Sequence, residues 1–437
     1  MPATMPAHRM RPSDRRNSIV MAYANGGLWG LANGLASTTL VVYLAKEYGA
    51  AGMAISWLLA APSNVGLLRL LTPYWLEKVK SRKIFCGGMF LTSAMLLFAL
   101  PFLSAPGVFE SQKVSIVVLI VLWIGCRVLE YIGAVAFWSW LGDLVPGAVR
   151  GHFVGRREAW LNAGKVLGIV VAAVGTQLWM NHCDAIQQPA LKWRAYAGCS
   201  LASAVMLIVS LVPLLRMNDL PLHRTGDSKP YDLKRQLTLP FRDPKFRRLL
   251  RYGTWFSFSN GLVQTARFVL FAYELGVPFA MKKGLDATSR GSQSLIMPRI
   301  GAWIDQHGNV PVLAISQGVV ALAPLFFLAA SPDAKWWILG GYLCWIAFAG
   351  QNVAQPNLML ELSDPEEKTT YISAYYAWCF FALSVGSLLG GVLFDWLKQN
   401  VEPPTVFGWT LDQFAIIFIA TFCLKSIGVY WATRIRE

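Results

Sequence analysis

The sequence predicts an all-α polytopic membrane protein with twelve transmembrane helices in two six-helix bundles (6+6), and three observations carry that prediction. Of the 437 residues, 55% are apolar and only 14% are charged, whereas soluble domains are about 45 to 50% apolar and roughly 25% charged. Apolar runs long enough to cross a bilayer follow one another from residue 18 to residue 433. A polar, basic stretch at 217–247 divides them into two groups of six.

A hydrocarbon core about 30 Å thick needs roughly 20 residues of helix, and backbone groups in lipid must satisfy one another, so the runs read as helices. They lie near 18–45, 52–76, 84–104, 114–141, 158–181, 194–216, 248–274, 310–330, 335–360, 369–396 and 410–433. The first is too long for a signal-peptide core and should remain as a span. A twelfth crossing is expected at 277–304, although it carries Lys282, Lys283, Asp286 and Arg290, each costing about 2.5 to 3.5 kcal/mol at a helix centre. The stretch Gly301-Ala-Trp-Ile-Asp305-Gln-His-Gly308-Asn309 is a counterpart of Pro73-Tyr-Trp-Leu-Glu77-Lys78-Val-Lys80-Ser-Arg82-Lys83, 228 residues earlier. The halves are therefore similar, and 277–300 takes the place of the second span. Lys282 with Asp286, and Asp286 with Arg290, stand at i,i+4 spacing and are expected to compensate one another.

The net charge of +15 follows from topology. Lys and Arg number 25 on the side of the N-terminus and linker, 8 on the opposite side and 6 within the spans. That bias places both termini in the cytoplasm, in a cell (inner) membrane. Basic residues sit between apolar runs rather than on a soluble face, which argues against a nucleic-acid partner. The expected organisation is a cytoplasmic tail at 1–17, a bundle at 18–216, a cytoplasmic linker at 217–247 and a second bundle at 248–437, embedded in the lipid bilayer and working as a monomer. The seven cysteines form no C-x-x-C, no histidine falls inside an apolar run, and H-E-x-x-H, P-loop and G-x-S-x-G motifs are absent. No metal, cofactor or enzymatic activity is expected, nor ATP-driven transport by this chain alone.

Twelve spans in two halves, a long middle loop and a paired loop motif resemble the major facilitator superfamily of transporters. Its loop pattern is roughly G-x-L-x-D-R-x-G-R-R; Gly301, Asp305 and Gly308 match it, while Pro73, Glu77, Lys78, Arg82 and Lys83 match by type only. The first-half glycine and aspartate are missing. Span four and its exit, Arg127-Val-Leu-Glu130-Tyr-Ile-Gly133, then Asp143-Leu-Val-Pro146 and Arg150-Gly151, look like the family's R-x-x-x-x-x-G segment and D-x-x-P-x-x-x-R-G turn. Glu361-Leu-Ser-Asp-Pro365 with Lys368 is a weaker counterpart. The resemblance covers residues 18 to 433 and implies a central cavity, lined by spans 1, 4, 7 and 10, and carriage of a small-molecule solute. It names no substrate. Glu77, Arg82, Asp143, Arg150, Gly301, Asp305 and Gly308 are then candidate gating residues, because an acid at one helix end can cap a neighbour in one state and release it in another. A static topology anchor is the alternative.

Ionisable and polar side chains within a membrane are costly and face protein or water, so each is a candidate site. On the implied cavity helices these are Asn25 and Asn33 in span 1, Arg127 and Glu130 in span 4, Asn260, Gln264 and Arg267 in span 7, and Gln351, Asn352 and Gln355 in span 10. Trp138 and Tyr375 are candidate cavity aromatics. Glu130 is the candidate proton-coupling acid, and a structural ion pair with Arg127 is its alternative. Arg69, Lys165 and Lys425 are expected to snorkel or pair structurally. Six basic residues against three acids within or bordering the spans favour an anionic solute, with Arg267 its principal partner unless Glu274 neutralises it. The leading reading is a secondary active transporter of a small polar, anionic organic solute by alternating access, with proton coupling open. A transporter-like protein without transport activity, an assembly factor or sensor, is the alternative.

Overall fold

The structure is a computed structural model that describes residues 11–49, 58, 65–79, 81–220, 233–277, 279–402, 405–406 and 409–435. Parts of the expected tail (1–10), second span (52–57 and 59–64) and linker (221–232) lie outside the described residues.

Span 1 is Pro12–Leu35, continued after a break at Ala36 by Thr38–Glu47. Its helix begins inside the expected tail, because a proline at the first position starts it and hydropathy marks only its apolar part. Span 2 is seen as the 3-10 segment Val65–Leu71 running into Thr72–Val79. Spans 3 to 6 are Arg82–Leu103, Gln112–Leu144, Arg150–Ala185 and Trp193–Arg216. The expected linker holds a short helix, Leu233–Arg242. Span 7 comprises Pro244–Leu262, Gln264–Val269 and a π-helical turn, Leu270–Glu274. Spans 8 and 9 are Phe279–His307 and Asn309–Leu328; span 10 is Trp337–Ile346 plus Phe348–Glu361; spans 11 and 12 are Lys368–Asn400 and Gln413–Thr433. A two-residue antiparallel ladder, Thr405–Val406 with Trp409–Thr410, lies between the last two.

Eight of these helical stretches are long and apolar enough to cross a membrane by length and composition alone. The other four depart for visible reasons. Span 2 is described only in part, spans 7 and 10 are interrupted at Val263 and Ala347, and span 8 carries its charges. Helix starts are fixed by side chains where the chain turns at a surface: Asp243 Oδ1 accepts from the Lys245 and Phe246 amides, and Asp412 Oδ1 from that of Ala415.

Each half is sewn by a glycine seam. In the first, spans 1 and 5 approach so closely that a Cβ on Gly34 would lie 2.8 Å from Gly168 Cα, and one on Gly164 2.9 Å from Leu31 N. In the second, a Cβ on Gly261 of span 7 would lie 2.8 Å from Ser387 N of span 11, and one on Gly390 2.9 Å from the Leu262 carbonyl carbon. Spans 1 and 7, like spans 5 and 11, occupy equivalent positions in the two halves. Small residues let backbones touch where lipid supplies no hydrophobic drive for association.

The apolar packing is divided unevenly. On the side of the linker a single cluster joins the halves, running from Ala22, Trp140 and Phe153 to Phe246, Met297 and Tyr371. Away from the linker it splits into one cluster within the first half, around Leu44, Trp123 and Leu207, and one within the second, around Phe271, Phe327 and Phe418.

Candidate functional site

Where the single cluster divides, a cavity of about 390 Å³ opens between the halves. Spans 1, 3, 4 and 5 contribute Asn25, Trp29, Phe90, Trp138, Arg157, Glu158 and Lys165, and spans 10 and 11 contribute Gln351, Asn352, Gln355, Tyr375, Tyr376 and Phe380. Arg157 and Glu158 form an ion pair at 2.7 Å, and the Arg157 guanidinium stacks 4.7 Å from the Trp138 ring. Lys165 has no such carboxylate: among the described residues its ammonium is placed 5.6 Å from the Trp29 ring. The opposite wall is a neutral hydrogen-bond chain. Tyr375 Oη donates to Gln355 Oε1 (2.8 Å), Gln355 Nε2 to Gln351 Oε1 (2.7 Å) and Tyr252 Oη to the same Gln351 oxygen (2.6 Å), while Gln317 Nε2 reaches the Lys425 carbonyl. Neighbours orient these amides before any solute arrives.

The linker-side end of the cavity is closed by polar contacts between the halves. Asp143, at the end of span 4, pairs with Arg82 of span 3 at 2.5 Å and with Lys368 at the start of span 11. Asp305, at the end of span 8, accepts from the Gly151 amide (2.7 Å) and the His152 amide (2.8 Å), capping the N-terminus of span 5. Arg150 stands within electrostatic reach of Glu361, Asp143 and Asp305, and Ser139 shares a hydrogen bond with Thr369 at 2.8 Å. Gly301 lies against Gly151 and Gly155, so the capping acid can approach; Gly308 turns the chain into span 9 with φ 84°. Glu77 is exposed on the last turn of its helix, apart from the Asp143 pairings.

Several polar residues lie elsewhere. Arg127 pairs with Glu130 at 2.7 Å, and Asn33 bridges them, accepting from Arg127 Nη1 and donating to Glu130 Oε1, each at 3.0 Å. The trio is packed within the first half and does not line the cavity. Asn260 accepts from Lys425 Nζ (2.9 Å), which is 2% exposed rather than snorkelling, and Gln264 accepts from Ser387 Oγ (3.4 Å). Arg69 is also buried, its guanidinium about 4 Å from the rings of Tyr131 and Phe380 and so bridging spans 4 and 11. Arg267 lines a separate pocket, stacked 4.8 Å from Trp345, and forms no ion pair with Glu274, which is exposed. The charge pairs expected within span 8 do not close either. Among the described residues Asp286 accepts from Tyr342 Oη (3.0 Å), and the Lys282 ammonium lies 5.5 Å from the Phe268 ring.

The model of the Major Facilitator Superfamily matches residues 23–297 and 291–435. The chain belongs to the Major Facilitator Superfamily. As in that superfamily, it is a multi-pass helical membrane protein of two six-helix bundles. No curated protein matches it in sequence. Among solved structures it is similar to the human organic anion transporter MFSD10 (TETRAN), at 13% identity and TM-score 0.64 over 97% of this chain and 100% of that one. It is also similar to the proton:xylose symporter XylE, at 13% identity and TM-score 0.67 over 98% and 97%. A bacterial homologue of the iron transporter ferroportin, in an outward-facing state, aligns at 13% identity and TM-score 0.65 over 98% and 99%. At such identities the likeness shows the fold alone.

Of the expected cavity residues, the structure brings together Asn25, Gln351, Asn352 and Gln355, with Trp138 and Tyr375 beside them. It does not bring Asn33, Arg127, Asn260, Gln264 or Arg267 there. Arg157, Glu158 and Lys165 were missed as a cavity set. Their signal was the four-residue spacing of 157, 161 and 165, which puts them on one face of a helix starting at Arg150.

Proposed function

We propose that this Major Facilitator Superfamily chain is a secondary active transporter that carries a small polar organic anion between its two halves by alternating access. The observation that carries the sign is the cavity's charge. Arg157 is matched by Glu158, while Lys165 faces the cavity with no ion-pair partner among the described residues. A cation in low dielectric is costly unless water or a ligand satisfies it, so a carboxylate or phosphate is the solute group that fits. The neutral wall of Gln351, Gln355 and Tyr375 supplies orientation, and Asn25 and Asn352 complete the polar lining.

The Asp143 and Asp305 contacts serve as the gate on the linker side, which the distribution of Lys and Arg assigns to the cytoplasm. The described arrangement is then the state closed on that side. Loading needs no movement there; release requires Lys368 to leave Asp143, and Asp305 to leave the end of span 5. Proton coupling is assigned to Glu130, buried beside Arg127. The chain acts as a monomer in the inner membrane.

The test is uptake into proteoliposomes of matched anionic, neutral and cationic solutes by the wild type and by Lys165→Gln. Anion uptake that falls at least tenfold in the variant is expected. Uptake confined to cations, or anion uptake unchanged in Lys165→Gln, removes the assignment. Glu130→Gln should abolish concentrative uptake while leaving exchange; unchanged accumulation removes Glu130 from coupling.

A further inference from the structure

The second half contains a cavity of its own, about 430 Å³, between spans 7, 8 and 10. Its charged lining is one-sided: Arg267 from span 7 and Lys282 and Arg290 from span 8 face a single carboxylate, Asp286. That carboxylate is held by Tyr342 Oη at 3.0 Å, and Arg267 makes no ion pair among the described residues. Gln293 and Ser289, both buried, and the rings of Trp345, Phe271 and Phe348 complete the pocket. Three cations stand around one acid, Arg267 and Lys282 half-buried and Arg290 exposed, an electrostatic trap whose missing member is negative.

Two further observations connect this pocket to the central one. Asn352 lines both, and its amide donates to Gln293 Oε1 at 3.4 Å, so the two share a wall. Arg290 of span 8 also lies within electrostatic reach of Lys165 in span 5, the cavity cation that forms no ion pair among the described residues and is within reach of Glu158 and Glu130 as well. Basic groups thus run from Lys165 through Arg290 to Arg267 and Lys282, with a polar floor at Asn352 and Gln293.

We propose that the pocket around Arg267 is a second anion site, separate from the central cavity, which holds a phosphate or carboxylate group among Arg267, Lys282 and Arg290. The guanidinium of Arg267 supplies planar, two-pronged donation from its stacked position on Trp345, and the Tyr342 contact keeps Asp286 turned to its own donor. The occupant is either a free anion waiting beside the central cavity or the headgroup of an anionic lipid. The chemistry is shared, and the experiment separates the sources.

Equilibrium dialysis with radiolabelled inorganic phosphate, on the full chain purified in detergent and stripped of lipid, reads the number of sites directly. Wild type is expected to bind two phosphates, Arg267→Gln one, and Lys165→Gln one, the last losing the central site. Ser289→Asp sets a carboxylate among the cations and should also bind only one, which carries the test should Arg267→Gln fail to fold. Displacement of the Arg267-dependent phosphate by short-chain phosphatidylglycerol supports the site with a lipid headgroup as its occupant; persistence of that phosphate supports it with a free anion. Two phosphates bound by both Arg267→Gln and Ser289→Asp, or a single phosphate in wild type that only Lys165→Gln removes, overturns the proposal. Neither result bears on uptake, and a chain that failed to transport anions could still show the Arg267-dependent phosphate.

Discussion

Two arginines, Arg127 in the first half and Arg267 in the second, are held in opposite ways. In the first, Arg127 is enclosed by a carboxylate at 2.7 Å and an asparagine at 3.0 Å, with Trp123 against its face. In the second, Arg267 has an aromatic face, Trp345, and Asp286 within electrostatic reach but no ion pair among the described residues, and nearby Lys425 has the amide oxygen of Asn260 and the Phe348 ring. Similar charges therefore sit in different surroundings. An ion-paired arginine carries its counter-charge with it, whereas one without an ion pair depends on neutral neighbours.

The largest effect expected from this contrast is in the first half. Glu130→Ala strands Arg127 in the interior and should cost about 3 to 5 kcal/mol, read as a large fall in melting temperature in detergent. Replacing both residues by methionine should recover most of that loss. An unchanged melting temperature in Glu130→Ala would mean that the pair is not structural. In the second half the sign reverses: Lys425→Met removes a buried cation with a neutral partner and should stabilise by about 1 to 3 kcal/mol. A destabilised variant would show that a charge partner of Lys425 forms in solution.

A smaller effect is expected at the boundary between the halves. Asp305→Ala deletes both cap hydrogen bonds to span 5, about 1 to 2 kcal/mol. The state open on the linker side should gain about tenfold in population, measured by thiol labelling of a cysteine introduced at Ser139. Equal labelling with and without the mutation would make Asp305 a static anchor. The smallest effect belongs to the exposed pair Lys192–Asp184 at 2.8 Å. Lys192→Gln should leave the melting temperature unchanged, because water screens what the interior does not; a clear drop would contradict the ranking.

How much of this was legible in the sequence follows from the same physics. Apolar run length located the helices, because crossing a bilayer requires it, and even the charged span 8 was recovered from the repeated loop around Asp305. The breaks in spans 7 and 10 escaped, since a run of apolar residues looks alike whether the helix is continuous or interrupted at Val263 or Ala347. Lys165 is expected to snorkel or pair structurally because span 5 is not among the implied cavity helices, yet the packed bundle turns it into the cavity lining. The pairs expected in span 8 failed because i,i+4 spacing fixes which side chains can meet, and a tyrosine on a neighbouring helix competed for Asp286. Spacing within a helix speaks of its own face; the partner across the gap is known only once the helices are packed.

The glycine seams bear on heritable variation. Every missense change at Gly34, Gly168, Gly261 or Gly390 adds at least a Cβ, and at each of these positions another helix's backbone already occupies that space. These pairings have no mild alternative, so drift is penalised there, whereas the cavity is lined through side chains such as those of Gln355 and Lys165. A lineage carrying this chain can revise the lining of the cavity while the paired helices that frame it stay fixed.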